Sequence, residues 1–191
     1  VVGSPGKITV NAIYGVHPPA EQRDQVIALA NGLNAIMDHG CVVVRSGTPC
    51  TALFRASIDL FLEQCRGKKI DKIVGIDARG FLFGSAVAYE LGIGFVPLRK
   101  KGRLPYKTES AKYSLEYGEA EMELHIDAIE RGEKIVLIDD LLATGGTSAS
   151  AAVLIKKVGG VLLEAQFLIE LEFLHGREKL TPIPVVSFLN Y

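Results

Sequence analysis

Two adjacent carboxylates, Asp139 and Asp140, stand just before a Thr-Gly-Gly-Thr turn, Thr144 to Thr147. Those residue types at that spacing suit a ligand with hydroxyls at one end and a phosphate at the other. Gly145 and Gly146 permit close backbone approach and let N–H groups face an anion, while the hydroxyls of Thr144 and Thr147 add donors. The carboxylates would repel a phosphate placed beside them. They suit sugar hydroxyls or a metal-bound ligand instead. Ribose 5-phosphate meets both requirements. The apolar run Ile135–Ile138 before the acids reads as a buried strand ending at them, and Ser148–Val158 after the turn reads as a helix. The turn therefore lies at a helix start, where unsatisfied N–H groups and the helix dipole favour phosphate. No G-x-x-x-x-G-K-[ST] run occurs, and no G-x-G-x-x-G follows a strand, so the other common phosphate loops lack their fingerprint.

A second strand end repeats this geometry at Asp77-Ala-Arg-Gly80, where free amides and Arg79 could hold another anion. Arg99-Lys-Lys-Gly-Arg103 places four cations in five residues. On composition alone that run reads as a solvated basic loop. Glu116 lies within Tyr113-Ser-Leu-Glu-Tyr-Gly118, on a segment able to close over a site. The four histidines (His17, His39, His125, His175) share no spacing that suggests a metal site or triad. Cys41, Cys50 and Cys65 are odd in number and lack metal-site spacing. They read as reduced thiols in a cytoplasmic protein, with Cys50 and Cys65 as packing residues.

The elements that must position these residues follow from periodicity. Gln22–Asp38 carries apolar residues at helical spacing, and His39-Gly40 would end that helix. Phe54–Cys65 and Phe81–Leu91 read as helices, and Lys72–Ile76, Gly94–Leu98, Leu162–Ile169 and Val185–Leu189 as strands. Residues 101–112, basic and containing Gly and Pro, read as a mobile loop. Tyr113–Glu116 and Met122–Ile126 could pair around Tyr117-Gly118. Alternating strands and helices with apolar strands predict an α/β fold: a mostly parallel sheet covered on both faces, with ligand at the strands' carboxyl ends.

At 191 residues, the chain is expected to form one domain with a sizeable core. It is 48% hydrophobic and 23% charged, with net charge −1, which gives no support for a nucleic-acid or anionic-membrane partner. Its apolar runs are short and interrupted by charge, so no membrane span is expected. The N-terminus lacks a basic segment followed by an apolar core, so no signal peptide is expected either.

Taken together, these motifs resemble the type I phosphoribosyltransferases. Ile135–Thr147 is similar to their motif for 5-phosphoribosyl 1-diphosphate (PRPP), in the form carried by the adenine-specific members. The resemblance continues through Gly75–Gly84, Val96–Pro105, Tyr113–Gly118 and Gly176-Arg-Glu-Lys-Leu180, covering residues 52–191. It implies a type I phosphoribosyltransferase fold with a small N-terminal hood, acting as a homodimer that makes AMP and diphosphate from adenine and PRPP. A transferase for xanthine or another purine, or a non-catalytic PRPP-sensing regulator, are the other readings. The resemblance puts the ribose phosphate on Asp139, Asp140, Ala143, Thr144, Gly145, Gly146 and Thr147. Mg²⁺ would arrive with PRPP. Diphosphate would meet Arg79, Arg99, Lys100 and Arg103, in a region where the family often has a non-proline cis peptide at the Asp77–Gly80 loop. Arg103, where the family more often carries lysine, would reach the neighbouring subunit's site.

Glu116 matches the proton-handling glutamate of the family, and Tyr117 lies near its reaction centre. The purine hood thins out. Its nearest match is Cys41–Pro49, with Val43, Val44 and Arg45 at hood positions, a valine for the family's aromatic residue and Ser-Gly for its Asp-Ile. Residues 1–40 match nothing in the family pattern.

Overall fold

The computed structural model describes residues 50–114 and 119–191. Its apolar runs form strands of one seven-stranded sheet. In chain order the elements are α1 (Cys50–Cys65), β1 (Lys72–Ile76), α2 (Arg79–Leu91), β2 (Gly94–Lys100), β3 (Thr108–Ser114), β4 (Glu119–His125), β5 (Lys134–Leu142), α3 (Gly146–Lys157), β6 (Val161–Glu170) and β7 (Val185–Asn190). Two 3₁₀ turns, Glu172–Leu174 and Gly176–Leu180, separate the last two strands. The strand order is β3-β4-β2-β1-β5-β6-β7. β2, β1, β5, β6 and β7 pair in parallel, while β3 and β4 add an antiparallel hairpin beside β2. The expected mostly parallel α/β sheet is present.

Continuous apolar strands imply cover on both faces, and alternate residues of β5 show it. Ile135 and Leu137 join Val74, Leu154 and Ile155 on the face packed by α3. Val136 and Ile138 join Ile73, Phe61 and Val87 on the face packed by α1 and α2. Cys65 is buried and free in this second cluster, in keeping with a packing residue. Burial pushes its thiol up, away from nucleophilic use. No described helix is long and apolar enough to cross a membrane.

Three expectations need correction. β5 does not stop at the acids but continues to Leu142. Its pairing with β1 ends at Gly75↔Ile138, whereas β6 stays paired as far as Leu142↔Glu170. One-sided pairing extends the strand while freeing the other edge for the carboxylates. The helices α1, α2 and α3 each begin earlier than periodicity placed them, because small residues such as Gly80 and Gly146 carry no apolar signal. Finally, the basic loop is shorter than expected. Thr108–Ser114 is a strand, paired from Thr108↔His125 to Ser114↔Glu119, so the hairpin is longer and differently registered. Its polar sequence hides the strand, but Ala111 packs against the α3-side core, and the Ser150 hydroxyl donates to the Ala111 carbonyl at 3.3 Å. The predicted helix Gln22–Asp38 lies outside the described residues.

Candidate active site

β5, the turn after it and α3 place Asp139 through Ser148 along one wall of a cavity of about 290 Å³. That is near the lower end of the ~300–1,000 Å³ that small-molecule clefts span. Ile76–Arg79, Lys100 and Met122 complete its lining. The cavity sits at the carboxyl ends of β1 and β5, where parallel sheets leave room for ligands.

The helix starts facing this cavity are unusually bare. α3 begins at Gly145, which has φ 74° and gives no side-chain cap. α2 begins after Ala78, which likewise gives none, and the Asp77–Ala78 peptide is cis. First-turn N–H groups normally take a Ser, Thr, Asp or Asn cap. Their lack of a side-chain cap at both places suits an anion. Gly80 brings α2 onto the end of β5. A Cβ there would fall 2.7 Å from the Ile138 carbonyl and 2.9 Å from an Asp139 oxygen.

The two acids behave differently. Asp140 accepts a hydrogen bond from the Arg79 Nε, which joins the expected sugar and diphosphate residues in one ion pair. That bond holds the Arg79 guanidinium even more firmly protonated. Asp139 accepts the Asp140 N–H at 2.9 Å. Burial, then the neighbouring Asp140 charge, hold its carboxyl well above the usual carboxylate range. A cation or a hydroxyl donor entering the cavity would relieve that unfavourable charge.

Of the residues singled out from sequence, Arg79, Lys100, Asp139, Asp140 and Ala143–Thr147 all line this cavity. Arg99 and Arg103 lie beside it. Both turn toward Asp77 of their own chain, at 3.3 Å and 3.6 Å. Val43, Val44, Arg45, Glu116 and Tyr117 fall outside the described residues.

Sequence reasoning missed the support beneath the Thr144–Thr147 turn. Gly176 packs against it so closely that a Cβ on Gly176 would lie 2.1 Å from the Ala143 carbonyl. The next residue, Arg177, is tied down. It donates to Glu170 through Nε and Nη2, to the Val185 carbonyl at 2.7 Å and to the Ser187 hydroxyl at 2.8 Å. The Gly176-Arg-Glu-Lys-Leu180 match was the only signal of this role. Arg177→Met leaves the buried Glu170 carboxylate with its Ser187 donor alone. Breaking a fully buried pair costs roughly 3–5 kcal/mol. The Arg177 side chain is 38% exposed, so solvent screening reduces the expected loss to about 2 kcal/mol. Thermal denaturation should then show a fall of about 4–8 °C, and an unchanged midpoint would remove the network from the stability of the fold.

Comparison with known proteins agrees with this geometry. The family described as "Phosphoribosyl transferase domain" matches residues 51–170. An adenine phosphoribosyltransferase of Clostridium botulinum is 53% identical over 135 residues, covering 71% of this chain and 78% of that protein. The crystal structure of adenine phosphoribosyltransferase from Thermoanaerobacter pseudethanolicus superposes with a TM-score of 0.73 at 45% identity, covering 75% of this chain and 83% of the other. The Saccharomyces cerevisiae enzyme, complexed with an imino-altritol bisphosphate and adenine, gives 0.69 at 44% identity, with 72% and 80% covered.

Proposed function

We propose, because this chain belongs to the phosphoribosyltransferase family, that it transfers the 5-phosphoribosyl group of PRPP to adenine, yielding AMP and diphosphate. The observation that carries the reading is the cavity in which paired acids, an uncapped helix start and Arg79 converge. The 5-phosphate sits on Ala143–Thr147 and the ribose hydroxyls face Asp139 and Asp140. Diphosphate lies toward Arg79, Lys100 and the Arg99–Arg103 turn.

As the C1′–oxygen bond to diphosphate breaks, positive charge builds on the sugar. The cations hold the leaving anion, and the carboxylates stand near the developing oxocarbenium. The purine N9 forms the new bond to C1′ and gives up its proton, which Glu116 accepts. Tyr117 and the hood residues Val43, Val44 and Arg45 enclose the base.

Asp139 and Asp140 are hard oxygen donors, and a divalent cation beside them would favour the ionised form of Asp139 that burial and Asp140 now disfavour. Mg²⁺ carried in by PRPP would supply charge neutralisation on the diphosphate.

The relatives favour neither a transferase for another purine nor a PRPP-sensing regulator. Incubation with PRPP, Mg²⁺ and each purine in turn decides among the three. AMP from adenine supports the proposal, another nucleotide the second reading, and binding without product the third. Glu116→Gln should lower turnover by roughly 10²–10⁴-fold with little change in PRPP binding, the span general acid–base groups contribute. Equal turnover would remove Glu116 from the chemistry. Homodimer formation belongs to the same reading and is supported by Leu82 and Tyr89, which α2 leaves exposed on one face. Reaction in the cytoplasm is supported by the free, buried thiol of Cys65.

A further inference from the structure

The turn Arg99–Arg103 crowds four cations onto one short stretch. Left alone, like charges so close would spread apart into solvent. In this structure Arg99 and Arg103 converge instead while Lys101 turns to Ser110 and Glu121, and two buried carboxylates on the strands either side of β2 hold the turn. Asp77, at the end of β1, has a side chain only 5% exposed, and it faces both Arg99 and Arg103. Glu123, on β4, is 2% exposed and holds the backbone of the same turn. One of its oxygens accepts the N–H groups of Arg103 at 2.8 Å and Leu104 at 2.9 Å, and the other accepts the Thr108 hydroxyl at 3.0 Å. Arg99 adds a bond from Nη1 to the Arg103 carbonyl at 3.1 Å.

We propose that Asp77 and Glu123 are positioning residues that hold the Arg99–Arg103 turn in its anion-binding arrangement before the substrate arrives. The inference rests on the reading that this turn receives the diphosphate of PRPP. Glu123 sets the backbone and Asp77 gathers the guanidinium groups above it, so the subsite is preformed. Burial works against the Glu123 charge, but its N–H and hydroxyl donors more than offset this and keep the carboxyl below its usual range. The carboxylate is therefore present as a fixed charge at neutral pH. The segment 101–112, read from sequence as a mobile loop, is anchored at its beginning and through β3. Pre-arranged cations reduce the ordering cost that binding would otherwise carry.

The test compares steady-state kinetics and diphosphate binding of wild type, Glu123→Ala, Glu123→Gln and Asp77→Asn. Glu123→Ala should raise KM for PRPP and Kd for diphosphate roughly ten- to hundredfold, the scale on which small misplacements act, with KM for adenine unchanged. Glu123→Gln keeps an oxygen for both N–H groups and should restore these constants to within about twofold of wild type. Asp77→Asn keeps the shape but loses the charge and should raise KM for PRPP. It also provides the answer if Glu123→Ala does not fold. Wild-type PRPP and diphosphate constants in Glu123→Ala and Asp77→Asn would overturn the proposal, whatever happens to thermal stability. A wild-type protein that binds no diphosphate would instead sink the donor-site reading, and this inference with it.

Discussion

Replacing Asp139 and Asp140 together with asparagine is expected to weaken PRPP binding by about 10²–10⁴-fold while the protein stays folded. Hydrogen bonds to charged groups contribute roughly 1.5–3 kcal/mol each, and two would be lost at a conversion of ~1.4 kcal/mol per tenfold. Asparagine keeps the shape, so the loss reports charge. Isothermal calorimetry showing undiminished PRPP affinity would end the assignment of these acids to the ribose.

The single Asp139→Asn variant separates binding from stability. The folded-state pKa of Asp139 is raised, through burial and then the charge of Asp140. A raised carboxyl contributes stability that is fully present below its unfolded pKa and is lost as pH rises through its folded pKa. Above that folded pKa the ligand-free protein therefore carries an unfavourable charge at this position. Asp139→Asn should melt higher than wild type above the folded pKa and show no gain at low pH. Its PRPP affinity should fall relative to wild type, and the gap should widen as pH rises through the same value. A variant that melts lower above the folded pKa, or a gap that does not change with pH, would refute this account.

Gly176→Ala is expected to be nearly as damaging, although residue 176 does not line the cavity. Its Cβ would sit 2.1 Å from the Ala143 carbonyl and 2.9 Å from the Gly145 nitrogen. Contacts that short cannot be kept, so one backbone must move. Arg177 fastens the Gly176 side to Glu170, Val185 and Ser187, whereas the turn at Gly145 has φ 74° and no side-chain cap. The turn at Gly145 is thus the side that gives way. Overpacking usually costs about 1–3 kcal/mol, and here the upper end is expected because backbone atoms are struck. If the cost appears in the ligand site, PRPP affinity falls roughly 100-fold. Gly145→Ala should do the same from the other side, since its Cβ would lie 2.3 Å from the Gly176 carbonyl. Wild-type KM for PRPP in both variants would show that the contact does not shape the turn.

The acid-and-turn half of the candidate site was legible because it is local. A buried strand, two acids, a glycine turn and a helix start follow one another in Ile135–Lys157, and each has its own signal. The strand's extension past Asp139 was not legible. It depends on β6 continuing to pair after β1 has ended, which no residue in β5 encodes. The basic segment misled for a related reason. Thr108–Ser114 is too polar to read as a strand, and only pairing with β4 and packing against α3 make it one.

By itself, then, the sequence determined the alternating fold, the acid pair with its glycine turn at a helix start, and the set of cations near it. Those features are written in short local stretches, where periodicity, glycine and charge carry their meaning without distant partners. Only the tertiary structure decided what holds these pieces in place. Arg79 meets Asp140, Asp77 and Glu123 gather the Arg99–Arg103 turn, and Gly176 supports Gly145 from across the sheet end. Each of these is a contact between residues far apart in the chain, and burial is what gives it force. A carboxylate is an ordinary polar residue until folding removes its water and leaves it one cation or one N–H group to face.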